Sequence, residues 1–321
     1  MDTRTLASWI TVAQEAFNYP WETSPIHALA RQSVPQHAHG PLGWLLKSDI
    51  NTTWALWYIN GIVDTAAYEI DNRLSYAHFY REVREALQED HRGAPWDEIS
   101  HLAKAVAQTA WPEIEFRRSI HRRRLTKKER SEIWSSQPNP RCYLCGYLFT
   151  AAARDRFLWV SDAPQVTPPI AVDFVRPRGL RPGDLLPQVD HIRPVAIGGE
   201  TSMDNLRLAC GWCNRKKSSH IDLYGTPSAY AGTFDHPNMG RISVPRPLWV
   251  VRLVKMRGRC EDYSGCKASI DNAELFVAPR RLSGAINPTN CAVYCDSHDP
   301  WRNQRFVGAK TYAQNFQKSR F

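Results

Sequence analysis

All eight cysteines of this 321-residue chain lie in its second half, as four close pairs: Cys142/Cys145, Cys210/Cys213, Cys260/Cys266 and Cys291/Cys295. The chain does not open with a basic region, an apolar core and a small-residue cleavage site, so a reducing compartment is expected and disulfides are disfavoured. A CxxC pair offers two thiolates to one ion, and two such pairs complete the tetrahedral thiolate shell that zinc prefers. The spacing predicts one zinc site from Cys142, Cys145, Cys210 and Cys213. A second, more loosely spaced site is expected from Cys260, Cys266, Cys291 and Cys295, with His298 available in place of one thiolate. Four protein ligands leave no open coordination position, so both ions are expected to be structural. This half should therefore fold as small metal-centred modules.

Apolar residues make up 43% of the chain and aromatic residues 11%, enough for packed cores, which excludes a disordered polymer. The most apolar stretch, residues 53–70, carries Asn60, Asp64 and Glu69, and no run reaches the ~18–20 residues of a spanning helix. The expectation is a soluble cytoplasmic protein with no membrane partner. The formal net charge of +9 is unevenly distributed: through Glu115 there are 8 Lys+Arg against 15 Asp+Glu, and beyond it 33 against 17. A half-chain at +16 is the electrostatic footprint of a polyanion partner, of which nucleic acid is the commonest. The junction is itself basic, with Arg117, Arg118, Arg122, Arg123, Arg124, Lys127, Lys128 and Arg130, and is suited to gripping a phosphate backbone.

The first half reads as helical. Leu6, Trp9, Ile10, Ala13 and Phe17 follow the one-faced helical period, Ser24-Pro25 suits a helix start, and further helices are expected over 53–70, 76–88 and 97–111. Seven of the 12 tryptophans lie here and are expected mostly in the core of an all-α domain, with a groove for a protein partner as the other use. Beyond it, β-like runs at 157–160, 170–175 and 248–254 are separated by Pro- and Gly-rich connections. The class is α+β, organised as an acidic helical domain (1–115), a basic linker (116–135), a module built on the first cysteine frame (136–225) and a second zinc module (240–321).

Between the halves of the first cysteine frame runs Val189-Asp190-His191-Ile192-Arg193-Pro194, followed by Gly198-Gly199, Met203-Asp204-Asn205-Leu206 and Cys210-Gly-Trp-Cys213-Asn214-Arg215-Lys216-Lys217. It supplies an adjacent carboxylate and imidazole, a glycine turn, two amides nine residues apart and a basic helix. Such a set can hold one hard divalent cation through oxygens and place a histidine beside a scissile phosphate. Arg193, Arg207, Arg215, Lys216 and Lys217 are candidate phosphate contacts, and Trp212 reads as a packing residue.

This order of groups resembles the HNH endonuclease family, in its zinc-stabilised branch with the ββα-metal fold, from Arg141 to about His220. The resemblance implies that His191 is the general base, that Asp190 and Asn214 ligate a catalytic Mg²⁺ or Mn²⁺, and that Asn205 orders the loop and orients the histidine. It implies DNA as substrate, with 5′-phosphate and 3′-hydroxyl products. The chain departs from compact members in the 64 residues between Cys145 and Cys210, an excess that suits a substrate-contacting or regulatory insertion. The second cysteine segment looks like an eroded copy. There, residues 274–281 stand for the Asp190-His191 strand, Ala278-Pro279 replace the two chemical groups, and Gly284 to Asn287 take the place of the glycine turn and middle asparagine. The expected function is a metal-dependent DNA endonuclease, of the kind found in restriction or antiviral defence. A non-cleaving zinc module that binds nucleic acid, or an RNA- or structure-directed nuclease, are the alternatives.

Overall fold

A computed structural model describes residues 3–19, 21–63, 65–118, 125–224, 232–282 and 286–318. The first half is helical: α1 (Thr3–Asn18), α2 (Thr23–Ala30), α3 (Gly43–Ile62), α4 (Ala66–Ile70), α5 (Tyr76–Asp90) and α6 (Trp96–Arg118). The helix expected over 53–70 starts ten residues earlier and breaks after Ile62, where Val63 is extended (φ −142, ψ 132). Phe79, Val83 and Leu87 recur every fourth residue on α5 and pack against Ile99, Ala103, Val106 and Ile114 of α6. Tyr68 and Trp111 close this core around Phe79, with ring centroids 5.0 and 6.0 Å from it. Five of the other six tryptophans of this half do not follow the expectation of burial: Trp21, Trp44, Trp54, Trp57 and Trp96 are exposed, while Trp9 is half-buried.

α3 belongs to both halves. Leu42 and Leu45 are buried in the core built by the second half. One turn further, the fully buried Asp49 accepts from the Leu223 amide (2.8 Å) and from Arg252 Nε (2.6 Å).

The second half runs α7 (Lys127–Ser135), α8 (Ala151–Phe157), β1 (Ala171–Asp173), β2 (Pro187–His191), β3 (Leu206–Cys210), α9 (Gly211–Lys217), β4 (Gly232–His236), β5 (Gly240–Val244), α10 (Pro247–Arg257), β6 (Leu275–Pro279), β7 (Cys291–Cys295), β8 (Phe306–Gly308), α11 (Ala309–Asn315) and β9 (Phe316–Lys318). No large sheet forms among the described residues: β1 pairs with β8, β2 with β3, β6 with β7, and β5-β4-β9 make a three-stranded sheet. Two of the expected strands are otherwise. Residues 157–160 are the end of α8 and the turn after it, and 248–254 lie inside α10, where Pro247 opens the helix and Gly258 (φ 65) closes it.

The hairpins β2–β3 and β6–β7 are built alike. Pro187 pairs with Cys210 and His191 with Leu206; Leu275 pairs with Cys295 and Pro279 with Cys291. The Ile192 amide donates to Asn205 O at 2.8 Å, and the Arg280 amide to Asn290 O at 2.7 Å. Asn205 accepts from the Arg193 amide (2.8 Å) and donates to Arg193 O (3.1 Å); Asn290 does the same with Arg281 (3.0 and 3.1 Å). Position for position, Ala278-Pro279 stand where Asp190-His191 stand, as the sequence suggested. The middle asparagine of the copy is Asn290, three residues later than expected; Gly284 lies outside the described residues.

Candidate active site and metal clusters

The first cluster forms as expected. Cys142, Cys145, Cys210 and Cys213 are all buried, and their sulfurs lie within 4.8 Å of one another. Cys142 and Cys145 sit on a knuckle in which the Cys142 amide donates to Tyr147 O (2.9 Å) and the Gly146 amide to Cys142 O (2.8 Å). Gly146 takes φ +77 and abuts Ala273 O, so no larger residue fits. Cys210 ends β3 and Cys213 lies in the first turn of α9, which turns both thiols toward the knuckle.

The second cluster is Cys260, Cys266, Cys295 and His298. Cys266 and Cys295 sulfurs are 3.9 Å apart, against the ~3.8 Å of a tetrahedral zinc site with ~2.3 Å bonds. His298 Nδ1 lies 3.3 Å from Cys295 Sγ and 3.6 Å from Cys260 Sγ. Cys291 is therefore not a ligand, which corrects the sequence expectation. It starts the strand that Cys295 ends, and four residues of strand span about 13 Å, too far for one ion. Burial pushes its thiol up to about 12. Cys295-x-x-His298 thus repeats Cys210-x-x-Cys213 with the last sulfur exchanged for a nitrogen.

Asp190, His191 and Asn214 line one cleft of about 940 Å³, together with Gln188, Thr201, Arg215, Trp159 and Arg130. Asp190 is nearly buried. Its Oδ2 accepts from the Tyr143 phenol at 2.5 Å, and Lys217 Nζ reaches both its oxygens, at 3.0 and 3.2 Å. Burial, then the adjacent carboxylate, hold the Tyr143 phenol far above its ordinary range, so it stays a proton donor. Lys217 also donates to His191 O at 2.7 Å, tying α9 to the end of β2. The imidazole Nε2 lies 3.0 Å from Thr201 Oγ1. Asn214 donates through Nδ2 to Gln188 Oε1 at 2.7 Å.

The hydrogen bonds of Asn205 run to the loop backbone. They clamp the loop after His191 through the Arg193 backbone and through Glu200 O (2.8 Å). The loop is closed by two glycines. Gly198 (φ +82) lies against Pro112 of α6, and a Cβ on Gly199 would sit 1.9 Å from Arg193 O. The helical half thus abuts the turn that carries His191 onward.

The predicted basic residues do not act as one patch. Arg215 lines the cleft and pairs with Asp184, and Lys217 is committed to Asp190. Arg207 bonds Met203 O (3.2 Å) and Leu206 O (2.8 Å), and with Tyr143 and Lys255 it faces a neighbouring cavity. Arg193 is exposed beside the loop, and Lys216 is half-buried on α9. In the basic junction, Arg117 pairs with Glu69 and Glu113, and Arg118 donates to the carbonyls of Tyr68, Asp71 (2.9 Å) and Leu74 (2.5 Å). Both therefore fasten α6, while Arg122, Arg123 and Arg124 lie outside the described residues. Trp212 is buried, as its reading as a packing residue required.

The donor set of the cleft fits a hard divalent cation. Asp190 supplies carboxylate oxygens, of whose roughly four lone-pair sites the Tyr143 and Lys217 contacts use part, and Asn214, whose side chain carries an amide oxygen, lines the same cleft. Tyr143, Thr201 and Gln188 escaped the sequence reading because nothing local marks them. Only pairing β2 with β3 and docking the knuckle brings them to Asp190, His191 and Asn214.

No curated protein and no solved structure matches the chain. Residues 182–220, which hold β2, the glycine loop, β3 and α9, match the family model described as HNH endonuclease, and this segment is an HNH endonuclease domain.

Proposed function

We propose that the chain is a divalent-metal-dependent endonuclease that hydrolyses DNA phosphodiester bonds. The observation that carries this reading is the meeting of Asp190, His191 and Asn214 in one cleft, with Asn205 fixing the loop between them. His191 takes the proton of the attacking water, and its orientation is held by Thr201 and by the Lys217 bond to its carbonyl. Water oxygen bonds to phosphorus as the 3′ oxygen leaves, giving 5′-phosphate and 3′-hydroxyl ends. Asp190 and Asn214 would hold Mg²⁺ or Mn²⁺, which when bound offsets the charge developing on the phosphate and the leaving oxygen. Tyr143 and Lys217 hold the Asp190 carboxylate toward that position. Both cysteine-rich clusters would carry structural zinc.

The exposed Trp54, Trp57 and Tyr58 on α3, with Trp21, support a protein partner for the helical half, as an effector in restriction or antiviral defence would need. No helix among the described residues is long and apolar enough to cross a membrane.

The test is supercoiled plasmid with Mg²⁺, with EDTA and His191→Ala as controls. Metal-dependent nicking or linearisation that is lost in the variant supports the reading. Equal scission by His191→Ala, or DNA retained on a gel without scission, overturns the assigned mechanism.

A further inference from the structure

α8 ends in a way that its own stability does not explain. The Trp159 amide donates to Arg156 O (3.3 Å) and the Val160 amide to Asp155 O (2.9 Å), the paired bonds of a Schellman helix end. That motif places one residue in the left-handed region, usually glycine, and here it is Trp159 at φ 54. A bulky L-residue in this conformation is strained, and such strain collects at functional sites. The side chain is not there to fill a core: Trp159 is 53% exposed. It lines the same cleft as His191 and Asn214. Ser218, which lines that cleft just after α9, also has a positive φ, at 49.

The indole is held in place by Arg130, whose guanidinium carbon lies 4.3 Å from the ring centroid and 4.8 Å from that of Phe157. Arg130 Nη1 is fixed to Phe157 O at 2.8 Å, and its Nε is buried with no hydrogen-bond partner among the described residues. The guanidinium is thus committed to backing the aromatic rings. Burial lowers its pKa, as expected of a cation packed into the wall. The result is a rigid aromatic plate, backed by a cation and open to the cleft that holds the candidate base.

We propose that Trp159, backed by Arg130, is a stacking platform for an unpaired nucleobase beside the scissile phosphate, so that the cleft takes single-stranded or locally unpaired DNA. This rests on the nuclease reading of the same cleft and narrows its substrate. A base inside a duplex has both faces covered by its neighbours, whereas one in a single strand, bulge or fray offers a free face to an indole. The platform lies in the insertion between Cys145 and Cys210, the part of the chain in excess of compact relatives of the motif.

The experiment measures binding on the full chain carrying His191→Ala, by anisotropy of labelled oligonucleotides: a single DNA strand, the same strand in duplex, and the same strand as RNA. Trp159→Gly suits the left-handed position and is expected to leave the thermal midpoint at or above that of its parent. It should weaken single-stranded DNA binding about tenfold or more and duplex binding less than twofold, with the salt dependence unchanged. Trp159→Tyr should retain binding within about threefold. Equal loss on strand and duplex, no loss on either, or a loss confined to RNA overturns the proposal. Because no cleavage is measured, a failure of the nuclease reading would appear in the plasmid assay and leave this result standing.

Discussion

The Tyr143 phenol donates to Asp190 Oδ2 at 2.5 Å, so the knuckle that carries two thiols of the first metal cluster also holds the carboxylate of the cleft. Metal cluster and candidate active site are therefore one mechanical unit, joined by a side chain next to Cys142. A hydrogen bond to a charged group contributes about 1.5–3 kcal/mol. Tyr143→Phe should lower kcat/KM on plasmid roughly ten- to hundredfold. Zinc content by atomic absorption should be unchanged, because the change removes an oxygen and leaves every thiol in place.

Metal counting tests the corrected second cluster. The intact chain should hold two zinc ions, Cys291→Ser should still hold two, and His298→Ala should hold one. A chelator strong enough to strip both should unfold the second half, since structural zinc binding is folding free energy. Far-ultraviolet circular dichroism during titration with the chelator would follow this.

The protonation of Cys291 has its own signature. Its folded-state value of about 12 stands above the ordinary 9.0, so the native thiol keeps its proton while an unfolded one loses it. The stabilisation is fully present below pH 9 and is lost as pH climbs from 9 toward 12. Alkylation of the zinc-loaded protein at pH 8, read by mass spectrometry, should leave Cys291 unmodified.

Asn205→Ala removes three hydrogen bonds that close the loop from Arg193 to Glu200. A loss of about 1–3 kcal/mol in urea unfolding is expected, with a larger proportional fall in cleavage because the loop joins His191 to its partner Thr201. Activity retained near the parent level would show that the loop holds its shape without the clamp.

Asp49→Ala should be among the most damaging changes outside the cleft. It strands the Arg252 guanidinium and the Leu223 amide that the buried carboxylate now satisfies. Breaking such a pair costs about 3–5 kcal/mol, and calorimetry should show the midpoint falling for both halves together.

How much of this could be read from residues alone depended on how local each signal was. The motif from Val189 to Lys217 was legible because its groups are fixed by one hairpin and one helix turn, whose spacing the sequence displays directly. The first cluster was legible for the same reason. The fourth ligand of the second cluster was not, because four cysteines suggest four thiolates until strand geometry sets Cys291 and Cys295 about 13 Å apart. The run 248–254 is β-branched and apolar, and tertiary burial of α10 on all but one side overrides its strand propensity. Lys217 looked like one more phosphate contact, and only the fold shows its charge spent on Asp190.

The pairing of β1 with β8 sets Ala171 against Gly308, and Asp49 waits for Leu223 and Arg252. Such contacts bridge more than a hundred residues, so they close late and slowly. On the ribosome, the loop, the imidazole and the first knuckle would all have emerged before the strand and helix that brace them had been made. A nascent chain thus displays Asp190 and His191 while β8 and α10 are still to be made.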